Sequence, residues 1–230
     1  MLAAATAGLA VAELTAVVLA RPLQLSPGFV FKTGAFFLAS MLVTAIRIGA
    51  HHPHARFGPA NTVTTLRLAF VALIAAALGE PHTAVLAWAV TTVAVVVSGL
   101  DGVDGWLARR STLTSAFGAR FDMETDALLI LVLSALAWRW ERAGMWVLAC
   151  GLMRYAFVAA AWAWPWMARP LPPSWRRKFV CVVQIVGLAI VVAPMLQPPL
   201  SAWLAAATLV ILTWSFAVDV RWLAVRRSAP

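Results

Sequence analysis

Residues 83–100 read Thr-Ala-Val-Leu-Ala-Trp-Ala-Val-Thr-Thr-Val-Ala-Val-Val-Val-Ser-Gly-Leu, eighteen positions without a charge. The ten that follow, Asp101-Gly102-Val103-Asp104-Gly105-Trp106-Leu107-Ala108-Arg109-Arg110, carry four charges. An uncharged run of about 18 residues is long enough for a transmembrane helix and too long for a buried strand. It lacks the alternation of a membrane barrel. The rest of the chain agrees. Of 230 residues, 63% are hydrophobic and 12% charged, with a mean hydropathy of +0.87. Soluble domains carry about 45–50% apolar and about 25% charged residues. This balance excludes a cytosolic globule, a disordered tail, a coiled coil and a collagen.

Eight apolar stretches are predicted to span the bilayer: roughly 2–20, 28–46, 61–79, 83–100, 120–138, 144–166, 178–196 and 200–223. Hydrocarbon cannot satisfy exposed backbone groups, so each is expected to be helical. The fold class is all-α integral membrane. The first stretch lacks a basic leader and contains Glu13, so it reads as a span rather than a signal peptide. Prolines punctuate the breaks, at Pro22, Pro27, Pro53, Pro59, Pro81, Pro170, Pro172, Pro173, Pro198 and Pro199. Ten Lys or Arg residues fall in one set of loops or after the last span (Arg47, Arg56, Arg109, Arg110, Arg169, Arg176, Arg177, Lys178, Arg226, Arg227). The alternate loops hold three, Arg21, Arg139 and Arg142. The positive-inside rule therefore puts both termini and the 101–126 connection on the cytoplasmic side of a plasma membrane. The net charge of +9 is spread over these loops, so no nucleic-acid partner is expected. Trp138, Trp140, Trp162, Trp164, Trp166 and Trp175 read as interfacial anchors. Cys150 and Cys181 read as buried small hydrophobes.

Five of the nine carboxylates, Asp101, Asp104, Asp122, Glu124 and Asp126, lie within 26 residues at the junction of spans four and five. Acids beside hydrocarbon are expensive and mark function. Asp101 and Asp104 stand i, i+3 on one helix, and Asp122 and Asp126 i, i+4 on the next. If the chain turns back at residues 111–115, these four converge, and four such charges need cations. Oxygen-only ligands select hard divalent ions, Mg²⁺ or Mn²⁺. Gly102 and Gly105 leave room for a ligand against the backbone, although Gly102 also suits helix packing. Ala108 keeps the face small, and Arg109 offers a planar fork for phosphate. Metals, small residues and arginine together read as a diphosphate site.

Asp101-Gly102-Val103-Asp104-Gly105-Trp106-Leu107-Ala108-Arg109, then Gly118, Asp122 and Asp126, resembles the signature of the CDP-alcohol phosphatidyltransferase family, D-x2-D-G-x2-A-R followed after about eight residues by G-x3-D-x3-D. Upstream, Asn61-Thr62-Val63-Thr64-Thr65-Leu66-Arg67 is similar to the N-x2-T-x2-R that opens the family's core. The resemblance covers about residues 59–223. It implies a six-helix domain at 59–230, preceded by a two-helix extension at 1–58, and a homodimer. It implies that Asp101, Asp104 and Asp122 hold two divalent cations, with Asp126 shared between ligation and the general-base role. Asn61, Thr64, Arg67, Gly105, Ala108, Arg109 and Gly118 would bind the CDP-linked lipid. An alcohol hydroxyl would attack the lipid-side phosphorus and CMP would leave, a step of phospholipid biosynthesis.

The acceptor alcohol is less legible. Arg120, Arg154, Arg176, Arg177 and Lys178 form a second basic set. Arg154 lies in an apolar run and needs a partner, either a phosphate on the acceptor, such as glycerol 3-phosphate or inositol phosphate, or the acidic cluster. The Arg176–Lys178 run suits a plain cytoplasmic loop. Val180 and Cys181 depart from the polar positions of glycerol-phosphate-using members. Glu124 matches no signature position and reads as solvated or structural. His51, His52 and His54 read as a hydrated loop, and Glu13, His82 and Tyr155 receive no functional role. The competing readings are a cation transporter, which would spread its acids across the membrane depth, and a nucleotide-lipid hydrolase, which would release CMP without an added alcohol.

Overall fold

The computed structural model describes residues 2–48, 58–110 and 116–226, without the side chains of 47, 48, 103–110 and 116. Its long helices are α1 (Leu2–Ala20), α2 (Phe29–Ile48), α3 (Pro59–Ala76), α4 (Ala84–Arg110), α5 (Ala116–Arg139), α6 (Leu148–Ala163), α7 (Trp175–Val192) and α8 (Leu200–Val225). Among the described residues there is no strand. The chain is an all-α, multi-pass membrane protein. The eight helices match the eight stretches expected, with two differences. The run 144–166 is broken, because Pro165 cannot continue the ladder: α6 is flanked by 3₁₀ turns at Met145–Val147 and Pro165–Ala168. And α4 does not stop where its apolar run stops. It continues to Arg110 and so carries the acidic motif on its last turns.

Among the described residues six segments are long and apolar enough to cross a membrane by composition, on α1, α2, α3, α4, α6 and α8 with their adjoining turns. The other two long helices, α5 and α7, carry charge in their first turns: Arg120, Asp122, Glu124 and Asp126 in one, Arg176, Arg177 and Lys178 in the other. Both line the inside of the bundle. Leu129, Leu133 and Leu136 of α5 and Leu188, Val191 and Val192 of α7 are fully buried in the main core with Val71, Ile74, Ala87 and Val97. Helix α3 packs on α1, α2, α4 and α5, and α7 packs on α4, α5 and α8, so these two form the axis of the molecule. Helices α1 and α2 close the other face of α3, where Phe37 and Met41 meet Leu68, Ala69 and Ala72.

Without a hydrophobic force between helices in lipid, close approach depends on small residues. Gly151 is the tightest case: a Cβ there would lie 2.4 Å from the Leu131 Cα. Helix α6 can therefore reach α5 only with glycine at this crossing. Gly187 meets Thr208 of α8 in the same way, at 2.5 Å from its Cγ2.

The end of the bundle opposite the acidic motif is tied by polar contacts. Glu80 is 3% exposed and accepts from the Ser26 backbone N–H and Oγ, both at 2.7 Å, and from the Lys32 ammonium. Burial opposes its charge, but these donors win and hold its carboxyl below the ordinary range. Arg142, 3% exposed, donates to the Leu196 carbonyl at 3.3 Å, to the Gln197 side-chain oxygen, and to His82 Nε2 at 3.2 Å. Three connections are pinned by one guanidinium. Burial and the Arg142 charge lower the His82 pKa.

Two outcomes follow from these contacts. Gly151→Ala forces α5 and α6 apart and should cost about 1–3 kcal/mol, seen as a lower unfolding temperature in detergent. His82 is neutral in the fold, so its contribution is present above its ordinary value of 6.5 and is lost as pH falls below it. Thermal unfolding should therefore shift to lower temperature between pH 7.5 and 5.5, and the shift should shrink in His82→Gln, which keeps an acceptor but does not titrate.

Candidate active site

Three carboxylates converge from α4 and α5. Asp101, from the C-terminal part of α4, and Asp122 and Asp126, one turn apart on α5, each place an oxygen within 4.8 Å of the others. Like charges this close repel by about 4 kcal/mol per pair at an effective dielectric of about 20. What offsets the repulsion is Arg67 of α3, whose side chain has no solvent exposure. Its Nη1 lies 3.1 Å from Asp101 Oδ1 and also donates to Asp122 Oδ1, while Nη2 donates to Asp126 Oδ1. One buried guanidinium bridges all three acids. The chain reversal expected at 111–115 falls outside the described residues, but Asp101 before it and Asp122 and Asp126 after it come together.

Of the other residues the sequence singled out, Asn61 and Thr64 lie buried on α3 below Arg67, with the Thr64 hydroxyl donating to the Ala60 carbonyl at 3.1 Å. Gly118 is half-buried on α5. The side chains of Asp104, Ala108 and Arg109, and the surroundings of Gly105, lie outside the described residues, although the α4 backbone carries all four positions. Among the described residues a Cβ at Gly102 would meet nothing within 4 Å, so no described neighbour requires a glycine there. The histidine cluster at 51–54 is also outside the described residues.

A cavity of about 520 Å³ opens beside the carboxylates, between α5, α6, α7 and α8. Of the three clustered acids only Asp126 lines it. Arg120, Arg154 and Arg177 are its cations, while Ile130, Phe157 and Leu212 give it an apolar wall. Arg154 is the residue for which the sequence left two partners open. It forms an ion pair with Glu124, the acid without a signature role, and still borders the cavity. Arg120 is exposed and makes no ion pair among the described residues. Lys178 is exposed too, with its ammonium 5.6 Å from the centre of the Trp175 ring, and it does not line the cavity.

Two polar residues of this region escaped the sequence reading. Cys181 donates its S–H to Asp126 Oδ2 at 3.6 Å, so it is not a mere apolar filler. Asp219, on α8, pairs with Arg176 and Arg177. The signal for it was present: a lone acid at the end of an apolar run requires a cation.

The geometry can now be set beside known proteins. Residues 57–217 match the family model of the CDP-alcohol phosphatidyltransferases. The chain belongs to that family. It is similar to the "probable phosphatidylglycerophosphate synthase" of Mycobacterium tuberculosis, in strains CDC 1551 / Oshkosh and H37Rv alike, at 31% identity over 173 residues, which is 70% of this chain and 78% of the relative. No solved structure matches it. As a CDP-alcohol phosphatidyltransferase the chain is an enzyme of phospholipid synthesis, which moves a phosphatidyl group from a CDP-linked lipid to an alcohol within a membrane. The family is metal-dependent, and the donor set fits: three carboxylate oxygens, with no thiolate or imidazole among them, suit a hard divalent cation.

Asp101→Asn or Asp122→Asn should weaken Mn²⁺ binding, read by titration of the purified protein, by at least about 10–100-fold, the loss that outer-shell changes alone produce. A chelator should stop wild-type turnover, and added Mg²⁺ or Mn²⁺ should restore it.

Proposed function

We propose that the enzyme transfers the phosphatidyl group of CDP-diacylglycerol to the hydroxyl of a phosphorylated polyol, with glycerol 3-phosphate as the first choice and inositol phosphate as the second. The observation that carries this reading is the cavity with Arg120, Arg154 and Arg177 at its wall and Asp126 at its end. A small polyol fits about 520 Å³, and arginine forks match phosphate oxygens. The names of the mycobacterial relatives agree with a glycerol phosphate acceptor.

In the proposed reaction two divalent cations, Mg²⁺ or Mn²⁺, are held by Asp101, Asp104, Asp122 and Asp126 and supply charge neutralisation at the diphosphate. Asn61, Thr64, Gly105, Ala108, Arg109 and Gly118 bind the CDP moiety. Arg67 keeps the acids together from beneath and contributes positive charge to the same pocket. The acceptor's phosphate lies against the cavity arginines, with its hydroxyl toward Asp126. Asp126 takes the hydroxyl proton as the acceptor oxygen bonds to the lipid-side phosphorus. The bond from that phosphorus to the CMP oxygen breaks, and CMP leaves with the electron pair. Asp126 suits this role better than Asp101 or Asp122, because it alone of the three borders the cavity. Arg154, Arg120 and Lys178 were all acceptor candidates from sequence. The first two stay in that role here, and Arg177 replaces Lys178, which stands outside the cavity.

The same reading makes residues 1–58 a packing extension on a six-helix catalytic domain, 59–230. It puts the acidic end of the bundle in the cytoplasm, the protein in the plasma membrane, and the active form as a homodimer.

The test is incubation of the purified protein with CDP-diacylglycerol, Mg²⁺ or Mn²⁺, and a panel of alcohols, with lipid products weighed by mass spectrometry. Glycerol 3-phosphate should yield phosphatidylglycerophosphate with one CMP per lipid. Release of CMP without an acceptor would make the protein a hydrolase, and preference for neutral alcohols would refute the phosphate reading. Asp126→Asn should lower the single-turnover rate by about 10²–10⁴-fold while CDP-lipid affinity falls far less. Equal losses in both would make Asp126 chiefly a ligand.

A further inference from the structure

Beyond the residues that touch the carboxylate cluster, the cavity has a second charged centre. Asp219 is 7% exposed on α8 and receives two arginines on one oxygen. Arg176 donates from Nη2 to Asp219 Oδ1, and Arg177 Nη1 lies 3.2 Å from the same atom. Each guanidinium is also tied at a second point. Arg176 Nη1 donates to the Ser215 hydroxyl, and Arg177 Nη2 donates to the Pro172 carbonyl. Ser215 and Asp219 stand i, i+4 on α8, and both line the cavity with Arg177.

Both arginines occupy the first turn of α7, which begins at Trp175. A helix N-terminus carries partial positive charge and favours anions, so two cations there are unfavourable without a counter-charge. Asp219 supplies it from the neighbouring helix. The pair Arg154–Glu124 differs on its acid side, where Glu124 is 33% exposed and serves one cation. Water can replace that contact cheaply. The Asp219 side chain is 10% exposed and serves two half-buried cations, so its removal leaves two neighbouring guanidiniums without their shared counter-charge. Asp219 also lies just past residue 217, where the family match ends.

We propose that Asp219 is a positioning residue for acceptor binding: it holds Arg177 in the cavity wall, where that guanidinium meets the acceptor's phosphate. This rests on the acceptor reading given above. The charge of the trio is +1, so the site keeps net attraction for an anion while the fork is fixed in place. With Asp219 removed, Arg177 keeps only its bond to the Pro172 carbonyl, and the cavity loses the contact that fixes the direction of this donor.

The experiment is steady-state kinetics of wild type, Asp219→Ala, Asp219→Asn, Arg177→Ala and the double variant Asp219→Ala/Arg177→Ala, with glycerol 3-phosphate varied at saturating CDP-diacylglycerol and the reverse. Asp219→Ala should raise the acceptor KM about tenfold or more, the scale of one lost charge-assisted hydrogen bond. Its kcat and its KM for CDP-diacylglycerol should stay within about twofold. Asp219→Asn, which keeps the shape and an acceptor oxygen, should fall between Asp219→Ala and wild type. The double variant should be no worse than Arg177→Ala alone, since both changes remove one function. If Asp219→Ala does not fold, Asp219→Asn is judged on the same split. An unchanged acceptor KM, an equal loss in both substrates, or additive effects in the double variant would overturn the role of Asp219 and leave the acceptor reading standing. A wild type that uses only neutral alcohols would overturn the acceptor reading and this role with it.

Discussion

A guanidinium sealed from solvent and shared by three carboxylates is the interaction on which the rest of this structure depends. Arg67 has no exposure, and its charge is met by Asp101, Asp122 and Asp126. The converse holds equally. The acids sit within 4.8 Å of one another and could not stay ionised there without a cation. Each half of the cluster supplies what the other lacks. Because the three acids come from two helices and the arginine from a third, satisfying the charge also fixes how α3, α4 and α5 cross. Deleting one member of such a set is costly, since it strands the others. The cluster has a net charge of −2 with Arg67 counted, which leaves it suited to a divalent cation.

The fold was legible for a simple reason: apolar runs that must cross hydrocarbon can only be helices. Charge was where the reading by hydropathy fell short. Helices α5 and α7 carry too much of it in their first turns to pass as spans on composition, and the structure uses them as the inner wall of the bundle. The limits of α4 were hidden too, because the acidic motif breaks the apolar pattern without breaking the helix. The convergence of Asp101 with Asp122 and Asp126 followed from periodicity, which acts within a helix and across one turn-back. Pairings between distant helices did not follow. Arg67 stands 55 positions from Asp122 and Cys181 55 from Asp126. No local rule connects such residues; only the packing of α3 and α7 against α5 does. Arg67 was named from the motif as a CDP-lipid-binding residue, but its pairing with the acids was not, although an arginine inside an apolar run demands acids. The same rule applied to Asp219 and would have found Arg176 and Arg177.

The two ends of the bundle solve the same physical problem differently. At the end opposite the acidic motif, Glu80 is met by Lys32 and Ser26, and Arg142 by a carbonyl, an amide oxygen and an imidazole. Charges there end in local networks that join connections to one another. At the acidic end, charge of both signs is left facing open space: Asp126 borders the cavity from one side and three arginines from the others. A network that joins connections rigidifies a fold, whereas charge left facing a cavity is ready for a ligand. The contrast separates the end that holds the molecule together from the end where the proposed chemistry takes place.

That open arrangement divides the labour among the helices. The acids and Arg67 come from α3, α4 and α5, which are the helices of the family motif. The cavity's remaining wall comes from α6, α7 and α8. On the proposed roles, the first set handles the donor, whose diphosphate is common to every member of the family. The second set chooses the alcohol. Asp126 belongs to both, because its position on α5 puts one oxygen toward Arg67 and leaves the carboxylate at the cavity's edge. A residue placed on that boundary is the natural site for the only event that joins the two substrates, the loss of a proton from one as it bonds to the other. Acceptor preference can then change through α6, α7 and α8 without disturbing the acids. Val180 and Cys181 line that second side, and Cys181 reaches across it to Asp126.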